Sequence, residues 1–252
     1  MPTASIPQAC GDWADTMGAY RFFENDTFEW ADILQPHIQS SMGRMATHEV
    51  VLCIQDTTEL DFNGQQAPGL GPLSYEAQRG MYLHPTYAVS TAREPLGVLD
   101  AWMWARQAKN GDGTRPGVSA SLRWTEGYER LAEIAPLLPQ TRLVYLADRE
   151  AHIMELMLRA RDLQTPVDWL VRSKHNRALG EGAKLWPEVM ATQALGTIRF
   201  TMPSRGGKPA REVEQHVWAK TVQLRDGKGG FVTASCIVAR ETAPPEGHSA
   251  VE

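Results

Sequence analysis

Two short apolar runs, each closed by an aspartate, constrain the fold of this chain more than any other feature. VVLCIQD covers Val50 to Asp56, and RLVYLAD covers Arg142 to Asp148. Apolar runs of about 4–8 residues read as buried strands. Between the two lie a pair of longer strand-like segments, MYLHPTYAVST and EPLGVLDAWMWAR, then a loop, QAKNGDGTRPG. SLRWTEGYERLAEIAPLL follows and suits a helix that ends near Pro136. Beyond Asp148, REAHIMELMLRAR predicts a helix with Ala151, Met154, Met157 and Leu158 on one face. VDWLVRSKHNR then predicts a strand that runs into basic residues. The order is three strands, helix, strand, helix, strand. Consecutive strands pair antiparallel, whereas strands reached through helical crossovers add in parallel. The expected fold is therefore α/β, a mixed sheet flanked by helices. In open sheets of this kind ligands collect beyond the carboxyl ends of strands, which is where Asp56 and Asp148 stand.

On either side of this region the texture changes. Residues up to about Thr47 read as helical, with Trp13, Met17, Tyr20 and Phe23 at helical spacing. The Gly/Pro-rich stretch NGQQAPGLGPLSYE from Asn63 reads as a loop. From Gly180 onward the pattern is that of β-hairpins with Gly-rich turns. The expected organisation is a helical segment over 1–47, a sheet-bearing core over 48–179 and a β-rich insertion over 180–252. With 252 residues, 42% of them hydrophobic, the chain can bury a real core. Its 3 cysteines, Cys10, Cys53 and Cys236, are far apart and form no CxxC. That pattern suggests neither a disulfide framework nor a zinc site and fits a reducing compartment, with Cys53 as a small buried strand residue. No apolar run approaches a membrane span, and the N-terminus lacks a basic-then-apolar signal. A net charge of −5 means that any nucleic-acid partner must be held by local basic patches.

The two aspartates carry the chemistry. Converging carboxylates with no His or Cys beside them suit a hard cation, Mg²⁺ or Mn²⁺, which prefers oxygen ligands. The same residues also have ordinary structural uses: Asp148 precedes a helix and can cap it, and Asp56 before two threonines can close a turn. The sequence leaves both open. Glu59 and Asp61 read as solvated. Trp102 and Trp104 read as core or half-buried strand residues, and Trp186 and Trp218 as packing residues of the insertion.

Several motifs in order add a resemblance: GAYRFFEND at Gly18, DTTELDF at Asp56, QRGMYLHPTYAV at Gln78, LADREAHIMELM at Leu146, WLVRSKHNR at Trp169 and VARETAPPEGHSAVE at the end. Together they resemble the bacterial cut-and-paste transposases of the insertion-sequence-four family, over nearly the whole chain. The resemblance implies a ribonuclease H-like core that binds divalent metal through two Asp and one Glu. Asp56 is then the first member and Asp148 the second, both catalytic and metal-binding. It also implies hydrolysis at a transposon end, attack by the freed 3′-hydroxyl, double-stranded DNA (transposon ends and target) as partner, and a homodimer on DNA when full length. A cytoplasmic, nucleoid-associated bacterial protein follows from it.

The third member of the triad is where the sequence departs. The family's Glu lies on a helix after a β-rich insertion, in a Tyr-x-x-Arg-x-x-x-Glu-x-x-x-x-x-x-Lys pattern, which does not occur here. Glu241, Glu246 and Glu252 stand in the wrong context and are not assigned. The final core strand and helix are thus expected to be missing, and little room remains before Gly18 for the helical domain that reads transposon ends. The alternative reading is a catalytically inactive DNA-binding or multimerising remnant.

Basic residues supply the DNA contacts. The resemblance supports Arg172, Lys174 and His175 as phosphate-backbone contacts, against a solvated strand end as the plain alternative. Arg149, directly after the second Asp, is suited to clamp a phosphate, or is a surface residue on a first helical turn. Arg79 and His84 are weaker candidates. Arg199, Arg205, Lys208 and Arg211 form a basic stretch with no acidic residue, suited equally to backbone contact and to a hairpin tip.

Overall fold

A computed structural model describes residues 4–251, except 65, 66, 118, 120, 181, 205 and 208. Three helices come first: α1 (Ile6–Ala9), α2 (Trp13–Phe23) and α3 (Trp30–Met45). Asp12 caps α2 by accepting from the Asp15 amide at 2.9 Å. The aromatic stripe of α2 faces outward, with Trp13 73% exposed. Helix α3 instead docks on the sheet. Arg44 Nε donates to the Leu96 carbonyl at 2.6 Å, and His37 Nε2 accepts from the Val98 amide at 3.0 Å.

The sheet contains β1 (Val50–Gln55), β2 (Thr58–Asp61), β3 (Gly71–Pro72), β4 (Arg79–Ser90), β5 (Pro95–Trp104), β6 (Arg142–Ala147) and β7 (Asp168–Val171). Helix α4 (Leu122–Ile134) connects β5 to β6, and α5 (Met154–Leu163) connects β6 to β7. Long β4 pairs antiparallel with β1 and β2 and also with β5, while β1, β6 and β7 run parallel. Read across, the order is β5, β4, β1, β6, β7. All the carboxyl ends except that of β4 lie at one end of the sheet.

Alternation explains which face is covered. Val51 and Cys53 of β1, Ala88 of β4, and Leu143, Tyr145 and Ala147 of β6 point one way and are buried with Trp124, Tyr128 and Leu131 of α4 and Leu156 of α5. Each large apolar side chain buried there contributes about 1.5–3 kcal/mol. The tyrosines keep their hydroxyls bonded: Tyr128 to the Val167 carbonyl at 2.7 Å and Tyr145 to the Trp124 carbonyl at 3.2 Å. The alternate residues form a second apolar face. Leu52, Ile54, Val144 and Leu146 on it are only half-buried, and Tyr87 and Leu170 are 38% and 54% exposed.

The structure corrects the sequence reading at three places. The predicted helix after Asp148 is split: a 3-10 turn (Arg149–Ala151) comes first, and α5 begins only at Met154. The strand into WLVRSKHNR stops at Val171. The β-rich portion, β8 (Ala178–Gly180), β9 (Ala183–Lys184), β10 (Gly196–Met202), β11 (Arg211–Arg225) and β12 (Phe231–Glu241), also contains a helix, α6 (Leu185–Met190). Leu185 and Val189, one turn apart, are buried against Val222, Leu224 and Val232 of the hairpin. Pro187 sits in the first turn, where its missing N–H costs nothing. Trp169 packs against both this core and the main one, so the β-rich portion sits on α5 and β7. The 179/180 boundary passes through β8.

Candidate metal and nucleic-acid site

The register that builds the sheet also builds the site. Gln55 of β1 lies opposite Ala147 of β6, and Ala147 lies opposite Val171 of β7. The residues that follow, Asp56, Asp148 and Arg172, therefore leave three neighbouring parallel strands abreast, about 4.8 Å between strands. The β4 ladder runs in one register from Gln55↔Thr86 to Thr58↔Leu83 and is interrupted only between them. The interruption sets Asp56 opposite Pro85 and Thr57 opposite His84. A proline has no N–H to give a ladder, and the gap frees Asp56 from regular pairing.

Both carboxylates are exposed. Asp56 Oδ1 accepts from the Thr57 amide, and Asp148 Oδ1 accepts from the Glu150 amide, each at 2.7 Å. The turn and cap roles are thus real, and each engages one oxygen. The second oxygen of each carboxylate is the donor a hard cation would take. Among the described residues no group of three His, Cys, Asp or Glu is arranged to hold a metal ion. Two carboxylates without soft ligands still fit an ion such as Mg²⁺, which keeps several waters.

Beneath the carboxylates lies a buried polar chain. Arg123, at the start of α4, donates from Nε to Thr57 Oγ1 at 3.1 Å. The Thr57 hydroxyl lies 2.9 Å from His84 Nδ1 and is the donor of that pair when the imidazole proton sits on Nε2. His84 Nε2–H then faces Gln55 Oε1 at 3.3 Å, and Gln55 Nε2 donates to Thr86 Oγ1 at 2.6 Å. This is the polarity in which no two acceptors face each other. The His84 ring meets Trp124 edge-on at 4.5 Å. Burial first, and then the Arg123 charge, pull the His84 pKa down to about 4. Helix α4 comes this close because residue 127 is Gly: a Cβ there would lie 1.7 Å from Gln55 Nε2.

The basic residues divide into two groups. Arg149, Arg172, Lys174 and His175 are exposed around the carboxylate end of the sheet. Buried His152 organises two of them, because its Nδ1 accepts from the Lys174 and His175 amides at 3.0 and 3.3 Å. The His175 ring stacks on His152 at 5.8 Å, and Arg177 Nη2 donates to the His152 carbonyl at 3.2 Å. The other candidates fare differently. His84 is buried and cannot reach a DNA backbone, while Arg79 is exposed. Arg199 pairs with Glu214 and Arg211 with Glu241, both at 2.5 Å across the strands of the hairpin. Arg205, Lys208 and Glu252 lie outside the described residues. Sequence reasoning missed Arg123 and His152. An Arg on a first helical turn reads as solvent-facing, and a His between helix-forming residues gives no sign of two amides waiting 22 and 23 residues later.

Comparison with known proteins adds two findings. Residues 1–28 match the family described as Transposase DNA-binding. That stretch holds α1 and α2, where the sequence reading expects little room for a DNA-reading domain. Among solved structures, the chain is similar to a piggyBac transposase in a synaptic complex with hairpin DNA, determined by cryo-electron microscopy. The TM-score is 0.32 and the identity 9%, over 85% of this chain and 40% of that one, a likeness too distant to carry an argument. No helix among the described residues is long and apolar enough to cross a membrane. The N-terminal segment of this chain is thus similar to the DNA-binding part of transposases.

Proposed function

We propose that this chain acts in cut-and-paste DNA transposition, with metal-dependent strand cleavage and strand transfer at transposon ends, as a relative of the insertion-sequence-four family similar to the transposon-five transposase. The observation that carries the reading is that Asp56 and Asp148 stand abreast on adjacent parallel strand ends, with Arg172 beside them. The strand order supports a ribonuclease H-like core, and the match over residues 1–28 supports a transposase context. In this reading Asp56 and Asp148 hold Mg²⁺ or Mn²⁺, which when bound supplies Lewis-acid stabilisation of charge at a phosphodiester. Arg172, Lys174, His175 and Arg149 hold the backbone of double-stranded DNA, at transposon ends and at the target, with two copies of the full-length protein assembled on it. The partly exposed apolar face lies on the side toward which Asp56 and Asp148 alternate.

The second reading, an inactive DNA-binding or multimerising protein, is favoured by one observation: no third acidic ligand joins the pair among the described residues. A gel shift on duplex DNA, with a parallel nicking assay in Mg²⁺, tests both. DNA binding is expected and should weaken steeply with salt. Replacing Arg172 and Lys174 by Ala should lower the log–log salt slope by up to about 1.8, at roughly 0.9 per phosphate contact. Absence of binding at low salt would contradict both readings. Nicking that is lost in Asp148→Ala would select the catalytic one.

A further inference from the structure

The turns that carry the two aspartates share one partner. The Thr57 amide holds Asp56 Oδ1, and the Glu150 amide holds Asp148 Oδ1. Arg123 grips these same two residues by their side chains, Nε to Thr57 Oγ1 and Nη2 to Glu150 Oε2, both at 3.1 Å. We propose that Arg123 is a positioning residue that fixes the spacing of Asp56 and Asp148 through Thr57 and Glu150. The inference rests on the reading that the two carboxylates act together.

Three features make Arg123 suited to this. It is only 5% exposed, and its guanidinium lies 5.0 Å from the Trp104 ring centroid and 5.4 Å from that of Trp124, so the rings limit its movement. A guanidinium is a planar fork with donors at fixed angles, so it ties two acceptors at a set distance in a way an ammonium cannot. Its location is itself fixed, because Gly127 lets α4 seat directly on Gln55.

The test turns on Glu150, which is 58% exposed and whose loss does not threaten the core. Amide hydrogen exchange of the intact chain is followed by NMR in wild type, Glu150→Ala and Arg123→Lys. Cutting the Glu150 link should speed exchange of the Thr57 amide on the neighbouring strand end, by roughly tenfold, what losing one charge-assisted hydrogen bond gives. Arg123→Lys should speed both the Thr57 and the residue-150 amides. Amides of β11 and β12 serve as the control and should not change. A Thr57 amide indifferent to Glu150→Ala, or Arg123→Lys affecting only the first turn of α4, would reduce Arg123 to a helix-docking residue and overturn the proposal. Mn²⁺ titration of the same samples keeps the two readings apart. Absence of metal binding in wild type would sink the metal reading, while the exchange data would still decide the role of Arg123.

Discussion

His84 and His152 are imidazoles that the fold keeps uncharged. His84 donates and accepts within the chain from Arg123 to Thr86, and His152 must offer a bare Nδ1 to two amides. Each pKa falls from 6.5 to about 4. For both, burial is the main cause; Arg123 adds to it at His84, and Arg177 followed by His175 at His152. A folded pKa below the unfolded one means that the unfolded chain binds the extra proton. The stabilisation is therefore full above pH 6.5 and is lost as pH falls from 6.5 toward 4. Between pH 7 and 5 the loss should reach up to about 2 kcal/mol per histidine. Urea unfolding of wild type and His84→Gln at the two pH values measures it. The stability gap between the two proteins should narrow by up to that amount at the lower pH, and a gap that does not change with pH would mean that His84 is not held neutral. At His152 the same protonation removes the acceptor that shapes the Lys174–His175 turn, so this turn should loosen in the same pH window.

The elements were legible in proportion to how local their causes are. Val50–Gln55 and Arg142–Ala147 bury every second residue, and their apolar runs show it directly. Helix α4 shows a helical apolar face, with Trp124, Tyr128, Leu131 and Ala135 buried. Helix α6 was hidden because its reason for being helical, burial of Leu185 and Val189 against a hairpin more than 30 residues later, is tertiary. The split of the helix after Asp148 was hidden likewise, since His152 leaves the helical path to meet the Lys174 and His175 amides. Gly127 is a further case. In sequence it is a helix breaker worth up to about 1 kcal/mol against the helix, and in the fold it is the contact point of α4 with β1. Gly127→Ala should therefore destabilise by about 1–3 kcal/mol through overpacking. Gly43→Ala in α3, with nothing within 4 Å of the new methyl, should be neutral or stabilising by up to about 1 kcal/mol. Denaturant unfolding of the pair checks this, and equal effects at the two sites would contradict the packing of α4 on Gln55.

For the molecule as a whole, the sheet is covered by helices on one face, carries carboxylates and basic residues at one end, and leaves an apolar face half open. The mixed sheet and the strand-end position of the two aspartates followed from the order of elements, because helical crossovers make strands parallel; that β6 lies directly beside β1 is what the structure adds. The residues that support them did not, because Thr57, His84 and Arg123 come together only through the β4 register and the docking of α4. The central claim is that Asp56 and Asp148 form one metal-binding pair. Calorimetric titration of the intact chain with Mn²⁺ tests it most directly. The account predicts binding in wild type that is abolished by Asp56→Ala and by Asp148→Ala alike, with unchanged circular dichroism, because both side chains are exposed. Identical isotherms in the wild type and both variants would contradict it.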